Sequence, residues 1–330
     1  MLIFLDEVTV SVDVSPVNSP AAAADEQLRR KNRLLTILEK GLPPFQHTVV
    51  DLMTILNDPS ADAREAAKPI GADPALSAQI LRMCNSPVFG RRSRVISIEQ
   101  AVALLGTDRL RSLAMTSSLA GFAGQGLPKD QIASFWQHSF LAAMLSRHLA
   151  EYNGYAEKEQ AYIAGLLHDI GQVPQWMSAA EEKTQKRAAV LDSWLDNPVV
   201  ERSHFGIDHS ELGSRMAEGW GLMPSFVDVI LNHHEPSEAQ HDPYLVEIVA
   251  AVEHFLLAKE EALVTAASEE AGQPSAEPRP LEIPAFTPRS RQPFADESVW
   301  KSISDNLDGE YTRLLPLVEG NLASMLGGAS

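Results

Sequence analysis

The chain has 330 residues, enough for two core-forming units, and its 45% hydrophobic and 22% charged content is ordinary for a globular protein. A formal net charge of −17 and a pI near 5.0 argue against a sequence-independent grip on nucleic-acid phosphates, which needs a basic face. The single cysteine, Cys84, excludes an intramolecular disulfide and fits a reducing compartment.

In chain order, "MLIFL" is too short for a signal core, and Asp6 and Glu7 interrupt it. No apolar run approaches the roughly 20 residues that span a bilayer, so a cytoplasmic protein with no membrane contact is expected. Residues 6–14 alternate Val8, Val10, Val12 and Val14 with polar residues, a strand pattern standing alone in a 1–30 extension. "SPVNSPAAAAD" then leads into a helix ending near Gly41.

A first helical unit is expected over 35–128. In "ADPALSAQILRMCNSPVFG", Asp73 reads as an N-cap and Pro74 as the first helical residue, with Leu76, Ile80 and Cys84 at helical spacing. The basic "GRRSRV" at 90–95 reads as a solvated loop. "SIEQAVALLGTDRL" carries a capping box, Ser97 with Gln100, then Ile98, Val102 and Leu105 on one face and Gly106 as a stop.

A second helical unit is expected over 129–262. His138 lies in "FWQHSFLAAMLSRHLA", a helix apolar around most of its circumference, flanked on the wheel by Leu145 and Leu149. The segment "AGLLHDIGQ" (164–172) sets His168 and Asp169 among apolar and small residues. Buried charge is costly unless paired or metal-bound, so the doublet is solvent-facing, part of a buried network, or a ligand pair. Asp208 and Glu211 form a D-x-x-E variant of the capping box, and His209 shares a stripe with Leu212, Gly213, Met216 and Trp220. Phe226 and Ile230 lead to His233 and His234, and Glu253 edges the stripe Leu245, Ile248, Val249, Val252 and Leu256. Trp136, Trp176, Trp194 and Trp220 read as packing residues. Residues 263–297, with six prolines between Pro274 and Pro293, cannot build a core and read as a disordered insertion. Apolar periodicity returns over 298–330, a helix expected to pack on the second unit.

Polar residues therefore recur on or beside the inward faces of five helical segments. Imidazole and carboxylate together suit a divalent Fe, Mn or Zn, and helical bundles build such sites from facing helices. Such a metal would activate water for phosphoester hydrolysis. A hydrogen-bonded polar core is the alternative. No nucleophile elbow, glycine-rich phosphate loop or CxxC knuckle is present.

The order His138, His168–Asp169, His209, His233–His234, then Glu253 resembles the HD superfamily of helical metal-dependent phosphohydrolases. With "LPPF", "DPALSAQILRMCNSPVFG" and "ISIEQAVALLG" ahead of them, residues 35–260 resemble an HDOD domain, the HD-related output domain of bacterial signalling proteins. The resemblance implies an all-α, two-lobed helical bundle with an HD-like C-terminal lobe, preceded here by the β-prone N-terminal segment. It implies a regulatory binding or scaffold module with a signalling protein partner, in which metal sites are often eroded. The metal ligands it implies are His138, His168, Asp169, His209, His233, His234 and Glu253. Glu253 stands where the HD pattern has Asp, and Gln172 follows "HDIG" where the HD-GYP phosphodiesterases have Lys. "HHEPSEAQHDPY" also lacks their GYP element. A phosphohydrolase acting on a nucleotide or other phosphoester is the second expectation, set back by the few basic residues near the motifs, Arg202 and Arg215 being nearest.

Overall fold

The computed structural model describes residues 20–39, 63–72, 129–181, 197–270 and 297–327, with scattered positions between 77 and 102. The chain is all-α, and no strand occurs among the described residues. The expected strand at 6–14, the basic loop at 90–94, the Asp73 cap, Leu105, Gly106, Trp194 and the prolines of 274–293 lie outside them. The helices are α1 (Pro20–Glu39), α2 (Ala63–Ala72), α3 (Lys129–Tyr152), α4 (Lys158–Leu167), α5 (Gln172–Glu181), α6 (Pro198–Phe205), α7 (His209–Gly219), α8 (Pro224–Asn232), α9 (Pro243–Glu270) and α10 (Glu297–Gly327). No described helix is long and apolar enough to cross a membrane.

Helix α3 is the axis of the second unit. Phe135, Trp136, Phe140, Leu141, Leu145 and Leu149 are buried around it because α4, α9 and α10 pack on different sides. That explains an apolar circumference in a helix of a water-exposed protein. Helix α4 crosses α3 closely at Gly165, where a Cβ would lie 2.6 Å from the Ala142 carbonyl oxygen. Helix α9 buries its stripe Leu245, Ile248, Val249, Val252 and Leu256 together with Val246 and Ala251. Helix α10 is fastened by His148–Asn306 (2.9 Å), an ion pair of Lys259 with Asp308, and Trp300 edge-on to His254.

The helix ends follow from local chemistry. Asn197 accepts from Val200 N (3.1 Å) with Pro198 opening α6, which stops at left-handed Gly206 (φ 73°). Asp208 accepts from Glu211 N (2.8 Å) and starts α7; the Glu211 carboxylate turns outward to Arg215 (2.7 Å), so the backbone half of the expected box carries the cap. In the first unit, Ser97 accepts from Gln100 N (3.2 Å) and the Gln100 side chain accepts from Ile96 N (3.0 Å), with Ile80, Cys84, Ile98 and Val102 buried. The buried Asp228 accepts the backbone N–H groups of Gln240, His241 and Asp242 and so shapes the loop into α9. Helix α1 lies across α5 and α6, and its Gln27 amide donates to the carbonyls of Arg202 (2.6 Å) and Ser203 (3.1 Å).

Candidate metal centre

Each candidate residue sits at a helix position that aims it into the interior between α3, α4, α7, α8 and α9. His138 projects from α3, His168 and Asp169 leave the last turn of α4, and His209 opens α7. His233 caps the C-terminus of α8 with His234 beside it, and Glu253 lies midway along α9. The turn 168–171 reaches α7 because Gly171 has no side chain: a Cβ there would sit 2.0 Å from the His209 carbonyl oxygen and 2.7 Å from Gly213 N. Gly171 therefore serves close approach of two backbones, which brings Asp169 beside His209.

The seven residues assemble into two pockets. His138, His168, Asp169 and Glu253 place one nitrogen or oxygen each within 4.8 Å of one another, and so do His209, His233 and His234. Asp169 joins them. Its Oδ2 lies 3.5 Å from His168 Nε2 and 3.7 Å from His138 Nε2, and its Oδ1 lies 3.4 Å from His209 Nε2 and 3.5 Å from His233 Nε2. Gln172 donates to Asp169 Oδ2 (2.9 Å). His168, Asp169, His209, His233 and Glu253 are all buried; His138 and His234 are partly accessible.

The outer hydrogen bonds fix which ring nitrogens face inward. His168 Nδ1 donates to the Gly165 carbonyl (2.8 Å) and His233 Nδ1 to that of Ile230 (3.0 Å), since a carbonyl oxygen only accepts. His209 Nδ1 donates to Glu201 (2.9 Å) and His138 Nδ1 to Glu260 (3.2 Å). In each pocket one imidazole is thus backed by a carbonyl and one by a carboxylate, the arrangement that orients histidine ligands. Their Nε2 lone pairs converge: His138 faces His168 at 3.4 Å, His209 faces His233 at 3.3 Å and His234 at 3.0 Å. Facing lone pairs repel unless a proton or metal cation lies between them. Glu253 Oε2 stands 2.9 Å from His138 Nε2 and 3.0 Å from His168 Nε2, while its Oε1 is buried with no hydrogen-bond partner. This donor set fits divalent metals such as Fe, Mn or Zn.

The charges respond accordingly. Burial opposes an imidazolium at His138, yet the Glu253 carboxylate, with Glu260 behind, holds its pKa well above the ordinary value. His168 is likewise raised against burial by Asp169 and Glu253. Burial would raise Glu253, but His138 and His168 hold it well below the carboxylate range. His233 is pushed down to about 4 by burial and by the charge of His234. A metal entering the first pocket would therefore compete with protons for these imidazoles.

Sequence reasoning did not find Glu201, Gln175 or Glu260. Glu201 and Glu260 are helical carboxylates with no periodic relation to the histidines they back, and Glu201 reaches His209 across the turn between α6 and α7. The signal of Glu201 is its burial, absent from a linear pattern, at 1% exposed; Glu260 is half-exposed and carries no such signal.

The profile of the HDOD domain matches residues 42–236. A protein of Treponema pallidum with no assigned function is 25% identical over 203 residues, 61% of this chain; the match spans only 39% of that protein's length. An HDOD domain protein of unknown function from Geobacter sulfurreducens superposes with a TM-score of 0.63 at 20% identity, over 90% of this chain and 98% of that one. A candidate phosphohydrolase from Shewanella amazonensis gives 0.59 at 22% identity over the same shares. These likenesses establish an HD-like helical fold. With the profile covering more than half its length, the chain belongs to the HDOD domain family.

Proposed function

We propose that this protein is a signalling HDOD module, binding a protein partner, whose C-terminal lobe holds divalent metal as a structural or sensing core rather than for turnover. The lone pairs converging on two pockets, with Asp169 between them, carry the metal assignment. The binding role rests on what surrounds them. Arg202 is engaged by Asp208, Arg215 by Glu211 and Lys259 by Asp308, while Glu260 stands half-exposed behind His138. An anionic phosphoester wants free cations, and these three described cations are each engaged by a carboxylate. His138, His168, Asp169 and Glu253 would hold one metal, and His209, His233 and His234 with Asp169 a second.

The phosphohydrolase reading is favoured by one observation, a carboxylate set between two candidate metals. Paired metals held there would act as Lewis acids on a phosphoryl oxygen. The test is metal content by ICP mass spectrometry on protein purified without a metal resin or chelator, beside His168→Ala/Asp169→Ala, followed by a nucleotide and phosphodiester screen. Near-stoichiometric Fe, Mn or Zn lost in the folded variant, with no turnover by loaded wild type, is expected. Turnover abolished in Asp169→Asn would transfer the assignment to the enzyme, and a folded metal-free wild type would remove the metal altogether.

A further inference from the structure

Glu201 is a carboxylate in a place that explains itself poorly by packing. It lies on α6, is 1% exposed, and among the described residues no Lys or Arg reaches it. Burying a carboxylate without a cation costs several kcal/mol, so its contacts must account for it. There are three. Oε2 accepts the backbone N–H of His209 (2.6 Å), both oxygens stand 2.9 Å from His209 Nδ1, and Gln175 on α5 donates to Oε2 (3.1 Å). The first contact is an ordinary end to a helix, because His209 opens α7 and its N–H has no intrahelical acceptor. The second does something else. It takes the ring proton to Nδ1 and leaves Nε2 as a lone pair facing His233, His234 and the Ser210 hydroxyl (3.3 Å).

We infer that Glu201, steadied by Gln175, is the positioning residue of the three-imidazole pocket: it fixes the tautomer and tilt that make His209 a metal ligand. The inference rests on the metal reading above. Two features separate it from a merely structural role. The carboxylate contacts ring and backbone of the same residue, so ring rotation is locked relative to α7. And Glu260, its counterpart on His138, is 45% exposed and contacts the ring alone, so the two pockets are not equally pre-set. The three-imidazole pocket is held ready by a buried carboxylate; the other orients its histidine through a side chain that water reaches.

Glu201→Gln keeps the shape and reverses the chemistry. A glutamine still accepts from the His209 backbone N–H through its oxygen, and its NH2 then meets Nδ1, driving the ring proton to Nε2, where it blocks ligation. The experiment titrates chelator-treated full chain with cobalt(II), following visible absorption and bound equivalents, for wild type, Glu201→Gln and His209→Ala. Two-dimensional 1H–15N NMR of the metal-free imidazoles reports the tautomer. Wild type is expected to take two equivalents. Glu201→Gln should leave one site unchanged and weaken roughly 10–100-fold the site that His209→Ala removes, and should show His209 protonated at Nε2. Gln175→Leu, which leaves the carboxylate in place but loosens it, should weaken the same site by a smaller factor, and serves if Glu201→Gln does not fold. Two wild-type-affinity sites in Glu201→Gln, or in the folded Gln175→Leu where it alone is available, would overturn the inference and leave the metal reading standing. A wild type that binds no cobalt would overturn both.

Discussion

Asp169 is ringed by candidate ligands: four imidazole Nε2 atoms stand within 3.7 Å of its two oxygens. Removing its charge while keeping its shape should therefore loosen both pockets at once. Asp169→Asn is expected to lower bound metal toward zero, where His209→Ala lowers it by one equivalent; ICP mass spectrometry on folded protein reads the difference. The proton economy gives a second expectation at this scale. Because Glu253 and Glu260 raise His138 above its ordinary 6.5, metal entering that pocket displaces a proton at neutral pH. Apparent affinity should thus climb as pH rises from about 6.5 through the raised His138 value and level off beyond it, by up to about tenfold per unit for one displaced proton. His233, held near 4, has no proton to lose there. Zinc titration calorimetry at pH 7 in buffers of different ionisation enthalpy measures the release; uptake with no proton released would contradict the charge state assigned to His138.

Among the elements, what the sequence disclosed and what it hid divide by whether the signal is local. The caps at Ser97 and Asp208, the stripe of α9 and the inward phase of His209 and His233 are each written within one helical repeat, and each is where the pattern places it. Gly171 reads locally as a helix stop. Its larger role depends on α7 passing behind it, which no window around residue 171 contains. The same holds for Glu201. Gly171→Ala tests the crossing. The new methyl would press on backbone at His209 and Gly213 with no flexible side chain to yield, so the loss should reach the upper end of about 1–3 kcal/mol or exceed it. Gly219→Ala, in the last turn of α7 with nothing within 4 Å, should stay neutral or gain up to about 1 kcal/mol. Urea midpoints at unchanged m-value compare them.

Across the whole molecule, the seven candidate ligands come from α3, α4, α7, α8 and α9, so metal would tie together helices that are far apart in the chain. Without it the same helices meet at buried carboxylates and imidazoles, with Glu253 Oε1 left without a hydrogen-bond partner. Helix α1 rests on α5 and α6, which carry Gln175 and Glu201, so order at the pockets extends to the N-terminal helix. A ligand that binds only the folded chain stabilises it by about 4 kcal/mol at a thousandfold excess over Kd. For a chain of 330 residues that amounts to a melting shift of roughly 6 °C. Chelator-treated protein should melt lower than metal-loaded protein by about that much, with α1 loosening before the rest in hydrogen exchange. His168→Ala/Asp169→Ala should melt at one temperature with or without metal. Equal melting of the two wild-type forms, at metal concentrations where both pockets are filled, would mean that the unfolded chain binds the metal as well as the folded one does, so that the metal does not select the assembled lobe. The sensing half of the proposed role would then need some other route from the pockets to the partner.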